Sequence, residues 1–241
     1  MIATSFEFRY RAALIGGIYS LGFWAYAIDH VNAVQAAAIW ISGPNSLNAP
    51  LTTRLLLGLG TLLVAFAAFV RTWGAAYLRA SVVHDAKSHS TELVADGPYR
   101  YVRHPLYFAS IVGTFGTAML ASPLGFAIMV VGLTVLYVRL TGYEEAQMQK
   151  QQGETYREFC KRVPRLWPSI VPRVPGTGAR PHWGQAFWGE AFMWGFAVAI
   201  GGFAITLKFT VLWILMGAAL LLFLQQQILH NRRRRKREAT A

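Results

Sequence analysis

The chain has 241 residues, of which 54% are hydrophobic and only 14% are charged, and its net charge is +12. Soluble domains usually carry about 25% charged residues, so a well-solvated globular surface is excluded. The 14% aromatic content excludes a disordered chain, and the single cysteine excludes a disulfide framework or a multi-cysteine metal site. The composition favours a membrane protein, and the positions of the charges decide what the net charge means.

Long apolar runs predict an all-α integral membrane protein with about six transmembrane helices. A spanning helix needs roughly 17 to 25 apolar residues. The second and third runs are slightly shorter than this, but neighbouring aromatic residues extend them through the membrane interface. Segment 31–41 is too short to span and predicts a surface or re-entrant helix. The six runs are 12–28, 55–70, 106–121, 124–140, 186–207 and 209–229.

The basic residues predict the orientation of these helices. With the N-terminus in the cytoplasm, all 23 lysines and arginines except Arg54 and Lys208 lie on the cytoplasmic side. The positive-inside rule favours this arrangement, which places both termini in the cytoplasm. The basic tail 231–238 then serves as an anchor to anionic headgroups, at about 1 kcal/mol per basic residue. The net charge is thereby explained without a nucleic-acid partner.

The pattern predicts three regions along the chain. Residues 1–53 form an N-terminal membrane helix and an extracytoplasmic loop, and residues 54–170 form a core. Residues 171–241 comprise a linker, an appended transmembrane hairpin and the basic tail. The linker is predicted because residues 168–185 contain four prolines and three glycines. Within the core, the polar segments 71–105 and 141–185 flank one tight helical hairpin, so they are expected to converge on one cytoplasmic cavity.

The segment 93–107 carries an unusual combination of residues. Its turn signal at 96–98 precedes Pro105, which fits the first turn of a helix that begins near His104 or Pro105. The free backbone donors of that helix start, together with Arg103 and His104, form a seat for a carboxylate or phosphate. The alternative is a set of interfacial aromatic residues and arginines that anchor the helix.

A second candidate is the acidic pair Glu144–Glu145, which follows a hydrophobic helix in a basic neighbourhood. Adjacent residues on a helix point about 100° apart, so at most one of the two carboxylates faces a shared cavity. The other is expected to be solvated or paired with an arginine. In the alternative interpretation both carboxylates only offset local arginine charges.

A metal site is not predicted. His84, His89 and His104 have spacings that match no standard ligand pattern, and no second cysteine is present. Cys160 lies among basic residues that favour its thiolate, but a lone cysteine is interpreted as incidental.

These motifs occur in the same order as in a known group of enzymes. The segment 71–168 resembles the isoprenylcysteine carboxyl methyltransferases and the related phospholipid N-methyltransferases. Each piece is weak alone, whereas the ordered set is specific. The hairpin after residue 186 lies beyond the usual end of that family. The matching pieces are Leu93-Val94, Gly97-Pro98-Tyr99, Arg103-His104-Pro105-Leu106-Tyr107, Glu144-Glu145, Gly153-Glu154-Thr155-Tyr156 and Lys161-Arg162-Val163-Pro164.

The resemblance implies a cytoplasm-facing pocket for S-adenosylmethionine, with an acceptor that enters from the bilayer. It implies no catalytic nucleophile. The arginine that the family uses for the acceptor is replaced by Leu140, which leaves the adjacent Arg139 as the candidate substrate residue. The implied cofactor-binding residues are His84, Thr91, Glu92, Leu93, Val94, Tyr99, Arg103, His104, Pro105, Leu106, Tyr107 and Glu144.

The resulting hypothesis is an S-adenosylmethionine-dependent methyltransferase in the inner membrane of a prokaryote, in contact with membrane lipids. Its acceptor is an isoprenylcysteine-type carboxylate or another small lipophilic carboxylate or thiol. One alternative is a phospholipid N-methyltransferase. An alternative of another class is an NADPH-dependent lipid or sterol reductase, and a third is a non-enzymatic membrane anchor built on the hairpin and tail.

Overall fold

The computed structural model describes residues 2–43, 46–78 and 94–239, with side chains up to residue 229. Within these ranges the chain is helical or irregular, without strands, which confirms the all-α prediction. A 3-10 turn, Gly97–Arg100, precedes α6. The helices are α1 Ser5–Arg9, α2 Arg11–Trp24, α3 Tyr26–Asp29, α4 Ala33–Ser42, α5 Ala49–Tyr77, α6 Pro105–Ala118, α7 Pro123–Gln152, α8 Glu154–Arg162, α9 Trp183–Gly189, α10 Ala191–Thr206 and α11 Phe209–Ala239.

Several helices are long and apolar enough to cross a bilayer. In the described ranges there are four such stretches, namely Arg11–Asp29, α5, α7 and Phe209–Leu229 of α11. The pair α9 and α10, bent by 57°, makes a fifth if it counts as one span. Helix α6 has 14 residues, or about 21 Å, and therefore falls short of the hydrocarbon core of about 30 Å. The structure therefore supports four or five spans, and the predicted count of six is not confirmed.

Local sequence signals fix where these helices begin and end. Asn32 caps α4, the short helix predicted at 31–41, by accepting hydrogen bonds from the backbone of its first turn. Ser122 caps α7 in the same way and Pro123 occupies its first position, as expected for the turn of the hairpin. The predicted break at Gly153 is also confirmed, since this residue has φ +57°, a left-handed conformation that favours glycine.

Small residues allow the helices to approach each other closely. A Cβ atom on Gly116 of α6 would lie 2.5 Å from the carbonyl oxygen of Gly60 on α5. A Cβ atom on Gly125 of α7 would overlap the carbonyl of Gly22 on α2. Close contact between backbones is the packing mode that stabilises helices in lipid, where burial of apolar surface contributes little.

The C-terminal helices pack against α5 through a buried ion pair. Arg71 of α5 donates from Nε to Oε2 of Glu190 at 2.6 Å and from a terminal nitrogen to Oε1 at 3.0 Å. A second terminal nitrogen of Arg71 donates to Ser110 of α6 at 3.0 Å. The Glu190 side chain is completely buried, just before α10. Residues after 186 therefore make direct contact with the core, and the proposed boundary at residue 171 stays a prediction.

The proline-rich segment after α8 is irregular, as its composition predicts, but hydrogen bonds hold it in place. We call residues 163–182 the strap. It runs along residues 96–104 and then reaches the end of α5, where His182 N–H donates to the Ala76 carbonyl at 2.7 Å. The other bonds are Arg103 N–H to Pro164 O (2.9 Å), His104 N–H to Arg165 O (3.2 Å), Ser169 N–H to Tyr101 O (2.9 Å) and Arg173 N–H to Arg100 O (2.8 Å).

Asp96 fastens the far end of the strap. Its buried carboxylate accepts the backbone N–H of Thr177 at 2.8 Å, the Thr177 hydroxyl and the backbone N–H of Ala179 at 3.3 Å. These bonds, the Thr177 hydroxyl first among them, lower the pKa of Asp96 below its ordinary value because they favour the charged carboxylate.

The buried Arg71–Glu190 pair leads to a prediction about stability that substitutions can test. Glu190→Leu leaves Arg71 buried without its carboxylate, so we expect a loss of about 3–5 kcal/mol in stability. The double variant Arg71→Met/Glu190→Leu is expected to match the wild type or exceed it, because two packed apolar side chains replace the pair. Thermal unfolding in detergent measures both. The exposed pair Arg157–Glu154 provides the control, and Glu154→Gln should change stability by less than about 1 kcal/mol. Equal losses in the single and double variants would contradict a compensated pair.

Asp96 predicts a pH dependence. Because its pKa is lowered on folding, its stabilisation is complete above the ordinary value of 3.8 and is lost as the pH falls through the lower folded value. We therefore expect Asp96→Asn to lower the melting temperature at neutral pH. The difference from the wild type should shrink below about pH 4. Melting curves between about pH 3 and pH 7 test this, and a difference that is constant over the whole range would contradict it.

Candidate functional site

The structure brings Tyr107 and Glu144 together, as the hairpin predicted. Tyr107 lies in the first turn of α6 and Glu144 near the end of α7, two helices that run in opposite directions. The Tyr107 hydroxyl donates to Oε1 of Glu144 at 2.6 Å. The Glu144 side chain remains 29% exposed, so its carboxylate is fixed by one hydrogen bond and still accessible.

The second carboxylate, Glu145, is held by three basic side chains. Its Oε1 lies 2.7 Å from Arg103 and 3.2 Å from Nε2 of His104, and its Oε2 lies 3.1 Å from Nε of Arg165. Glu145 thus pairs with arginines while Glu144 faces Tyr107, which confirms that the adjacent carboxylates diverge. We call these residues, together with Tyr107 and Glu144, the carboxylate cluster.

His104 lies between the two carboxylates and contacts one of them closely. Its buried ring lies with Nε2 against Glu145, while Nδ1 is 3.7 Å from Oε2 of Glu144, which is too long for a hydrogen bond. Oε2 of Glu144 therefore retains capacity to accept from a ligand. The backbone of His104 is fixed independently by its hydrogen bond to Arg165 of the strap.

The start of α6 offers backbone donors beside these side chains. His104 is the N-cap residue and Pro105 lies at the first helical position, and no side chain in the described ranges caps this first turn. The N–H groups of Leu106 and Tyr107 therefore point out of the helix end, where an anion is favoured by the helix dipole. Pro105 and Leu106 pack against Gly74 of α5, which holds this helix end in place.

Aromatic rings lie near Tyr107. The Tyr107 ring lies 5.8 Å from that of Tyr137 and 6.0 Å from that of His104. Tyr99 is buried in the 3-10 turn, and burial, together with the charge of Glu144, raises its pKa well above the ordinary value. Its phenol therefore stays neutral at physiological pH.

Arg139, the candidate substrate residue, is engaged by a carboxylate from the N-terminus. Its guanidinium donates to both oxygens of Glu7, at 3.0 and 2.8 Å. This pairing, aided by hydrogen bonds from Thr4, lowers the pKa of Glu7 to about 2. The structure does not bring Arg139 into the carboxylate cluster, and its role toward an acceptor stays a prediction.

Two contributors to the site were missed in the sequence. The first is α1, whose Phe8 ring stacks on Tyr143 with centroids 4.5 Å apart, directly before Glu144. The capping box of Thr4 and Glu7 is a sequence signal for this helix. The second is Arg165 of the strap, for which the sequence carries no distinctive signal.

Four predicted cofactor residues, His84, Thr91, Glu92 and Leu93, lie outside the described residues. Val94, the next one, is half-buried at the beginning of the described segment. Their predicted roles are therefore untested.

A shallow cavity of about 260 Å³ lies between α8 and the strap. Its walls contain neither Tyr107 nor Glu144, so the cytoplasm-facing cofactor pocket is not confirmed. Its lining residues are Ala95, Glu158, Phe159, Arg162, Val174 and Pro175.

In comparisons with known proteins, residues 55–155 match a family described as phospholipid methyltransferase. The chain is 28% identical over 153 residues to the nickel-cobalt-cadmium resistance protein of Alcaligenes xylosoxydans, which covers 63% of this chain and 66% of that protein. It is 26% identical over 153 residues to the cobalt-zinc-cadmium resistance protein of Cupriavidus metallidurans. The aligned residues cover 63% of this chain and 65% of that protein.

A third relative is the protein-S-isoprenylcysteine O-methyltransferase of Schizosaccharomyces pombe, 32% identical over 98 residues and 39% of each chain. The chain thus spans just under two thirds of the length of the two resistance proteins and about two fifths of the yeast enzyme. No solved structure matches it.

The cluster predicts different roles for its adjacent carboxylates. Glu145→Gln removes the negative charge shared by Arg103, His104 and Arg165, so we expect a loss of about 2–3 kcal/mol in stability. Glu144→Gln keeps an oxygen that accepts from Tyr107, and its cost should stay below about 1 kcal/mol. Thermal unfolding of the two matched variants in one detergent compares them. Equal losses would show that Glu145 is not the structural member of the pair.

Proposed function

We propose that the protein is an integral membrane methyltransferase that uses S-adenosylmethionine and modifies a lipophilic acceptor, because residues 55–155 match a family described as phospholipid methyltransferase. One observation carries the proposal beyond the family match. The accessible carboxylate of Glu144, held by Tyr107, lies beside the uncapped start of α6, so a negative and a positive binding group adjoin.

This pair of groups fits the methyl donor. When bound, S-adenosylmethionine supplies a methyl group on a positively charged sulfur, and it also carries a carboxylate, an amine and ribose hydroxyls. Glu144 suits the amine or the ribose hydroxyls, because its Oε2 retains capacity to accept hydrogen bonds. The N–H groups at the start of α6 suit the carboxylate. Tyr99 and Tyr107 provide aromatic surface for the adenine.

In this proposal the protein acts by positioning. Methyl transfer from a sulfonium is an in-line displacement, so alignment of the reactants and exclusion of water supply most of the acceleration. Tyr107 fixes the carboxylate of Glu144, while Glu145 holds Arg103 and His104 at the helix start. No protein nucleophile is needed. A carboxylate or thiolate acceptor needs no general base either, whereas a protonated amine does.

Two acceptor classes remain in the proposal, and each rests on a different comparison. A lipophilic carboxylate of the isoprenylcysteine type is favoured by the yeast relative and by a second relative in Arabidopsis thaliana, 31% identical over 80 residues, which cover 33% of this chain and 41% of that protein. A phospholipid amine is favoured by the family match.

We also propose the membrane arrangement. The distribution of basic residues supports both termini in the cytoplasm, about six spans and a cytoplasm-facing pocket within the core 54–170. The two relatives from bacteria support the inner membrane of a prokaryote as the location.

Binding of the donor tests the role of Glu144. Glu144→Gln is expected to weaken binding of S-adenosylhomocysteine about 10- to 100-fold, because a charged acceptor is lost. Tyr107→Phe should weaken it less, since the carboxylate remains but is no longer held. Calorimetry in detergent measures both affinities, with Glu154→Gln on the exposed face of α8 as the control. Unchanged affinity in Glu144→Gln would remove this residue from the site.

A labelled-methyl assay identifies the acceptor. Purified protein in lipid is offered a prenylated thioacid, a small lipophilic thiol or phosphatidylethanolamine, and transfer to one class is expected. Thermal shifts separate the other function classes, because only a ligand that binds the folded state raises the melting temperature. Stabilisation by NADPH and not by S-adenosylhomocysteine would replace the proposal with a reductase.

A further inference from the structure

The strap exposes a cluster of large apolar side chains. Trp167 is 79% exposed, Ile170 is 98% exposed and Val171 is 55% exposed. We call residues 167–171 the apolar loop. Contiguous exposed apolar surface of this kind marks contact with a membrane or a partner rather than with water.

The apolar loop continues the lipid-facing surface of a spanning helix. The Trp167 ring lies 6.4 Å from Phe108 at the start of α6, and Phe108 lies 6.3 Å from Phe66 of α5. Phe66 is 47% exposed in a helix that is long and apolar enough to span the bilayer. Two successive ring contacts therefore connect Trp167 to Phe66, whose exposed ring lies on the surface that a spanning α5 presents to acyl chains.

A second set of aromatic rings connects the apolar loop to the end of α5. Trp73, near the end of α5, has its ring 5.9 Å from Tyr101 and 6.2 Å from Phe69. The carbonyl of Tyr101 accepts the Ser169 N–H, which ties the apolar loop to this group. Tryptophan and tyrosine gather at the boundary between headgroups and acyl chains, so the aromatic rings indicate the depth of the loop.

Basic residues flank the apolar loop on the strap and at the end of α8. Arg173 is exposed and donates to the Ser169 hydroxyl at 2.8 Å, which holds its guanidinium beside the loop. Arg162 at the end of α8 is also exposed, five residues before Trp167 in the chain. Cations beside an apolar tip match a layer of lipid phosphates above acyl chains better than they match a dry protein interface.

We propose that residues 167–171 form an interfacial loop that inserts Trp167, Ile170 and Val171 between the headgroups and acyl chains of the bilayer that α5 spans. The loop sets the depth of the strap. The strap in turn holds the backbone of Arg103 and His104 through the carbonyls of Pro164 and Arg165. Lipid contact therefore fixes the level of the carboxylate cluster relative to the bilayer surface, and this inference does not depend on the reaction that the site performs.

Fluorescence quenching in nanodiscs tests the proposal. Cys160 is the single cysteine, so Cys160→Ser provides a background for Ile170→Cys labelled with an environment-sensitive fluorophore. Ala179→Cys, exposed on the same strap and tied to Asp96, is the matched control. Anionic nanodiscs carry lipids with a doxyl group near the headgroup. We expect a blue-shifted emission at position 170, with quenching at least about twofold stronger than at position 179.

Equally weak quenching at the two positions would overturn the proposal. Protection of position 170 that rises with protein concentration, without quenching by the lipid, would also overturn it and show an interface between copies of the chain. A second measurement uses unlabelled protein. The difference in tryptophan emission between the wild type and Trp167→Phe should be quenched by lipids brominated near the headgroup, and an unquenched difference would contradict insertion.

Discussion

The arrangement of the site depends on the carboxylate of Glu145. Arg103 and His104 precede α6, Arg165 lies on the strap, and all three meet Glu145 near the end of α7. Two guanidinium groups packed this closely repel each other unless an anion lies between them. Glu145 supplies that anion, and Glu144 one residue earlier is left to face Tyr107. Because Glu145 pairs with the basic residues, Glu144 is held by Tyr107 alone and keeps an accessible oxygen.

The strap connects this site to the rest of the molecule. Its hydrogen bonds reach the backbone before α6, and its far end is fastened by Asp96 and by the end of α5. The prolines keep this segment out of regular secondary structure, because proline fixes φ and cannot continue a helix. The same segment carries the apolar loop. One continuous stretch of chain therefore contacts the carboxylate cluster and, in our proposal, the membrane surface.

The sequence predicted the parts that depend on local signals and on helix direction. Pro105 and Gly153 mark helix ends, and the antiparallel hairpin dictates that Tyr107 approaches Glu144. Long-range polar pairs were not predictable: Glu7 and Arg139 are separated by 132 residues, and composition does not indicate which carboxylate meets which arginine. The irregular course of the strap was predicted, whereas its contacts with residues 96–104 were not, since backbone hydrogen bonds leave no trace in residue types. The roles of the predicted cofactor residues remain predictions.

The pair of Arg71 and Glu190 has a consequence for biosynthesis. The two residues are 119 positions apart, so Arg71 emerges from the ribosome long before its counter-ion exists. Arg71 lies six residues before the end of α5, where the guanidinium of an arginine without its carboxylate can extend toward the water boundary. Before Glu190 is inserted, the guanidinium of Arg71 is therefore expected to stay in contact with water or headgroups. Burial of Arg71 would follow the synthesis of Glu190, and a nascent chain stopped before that residue would leave this guanidinium without its partner carboxylate.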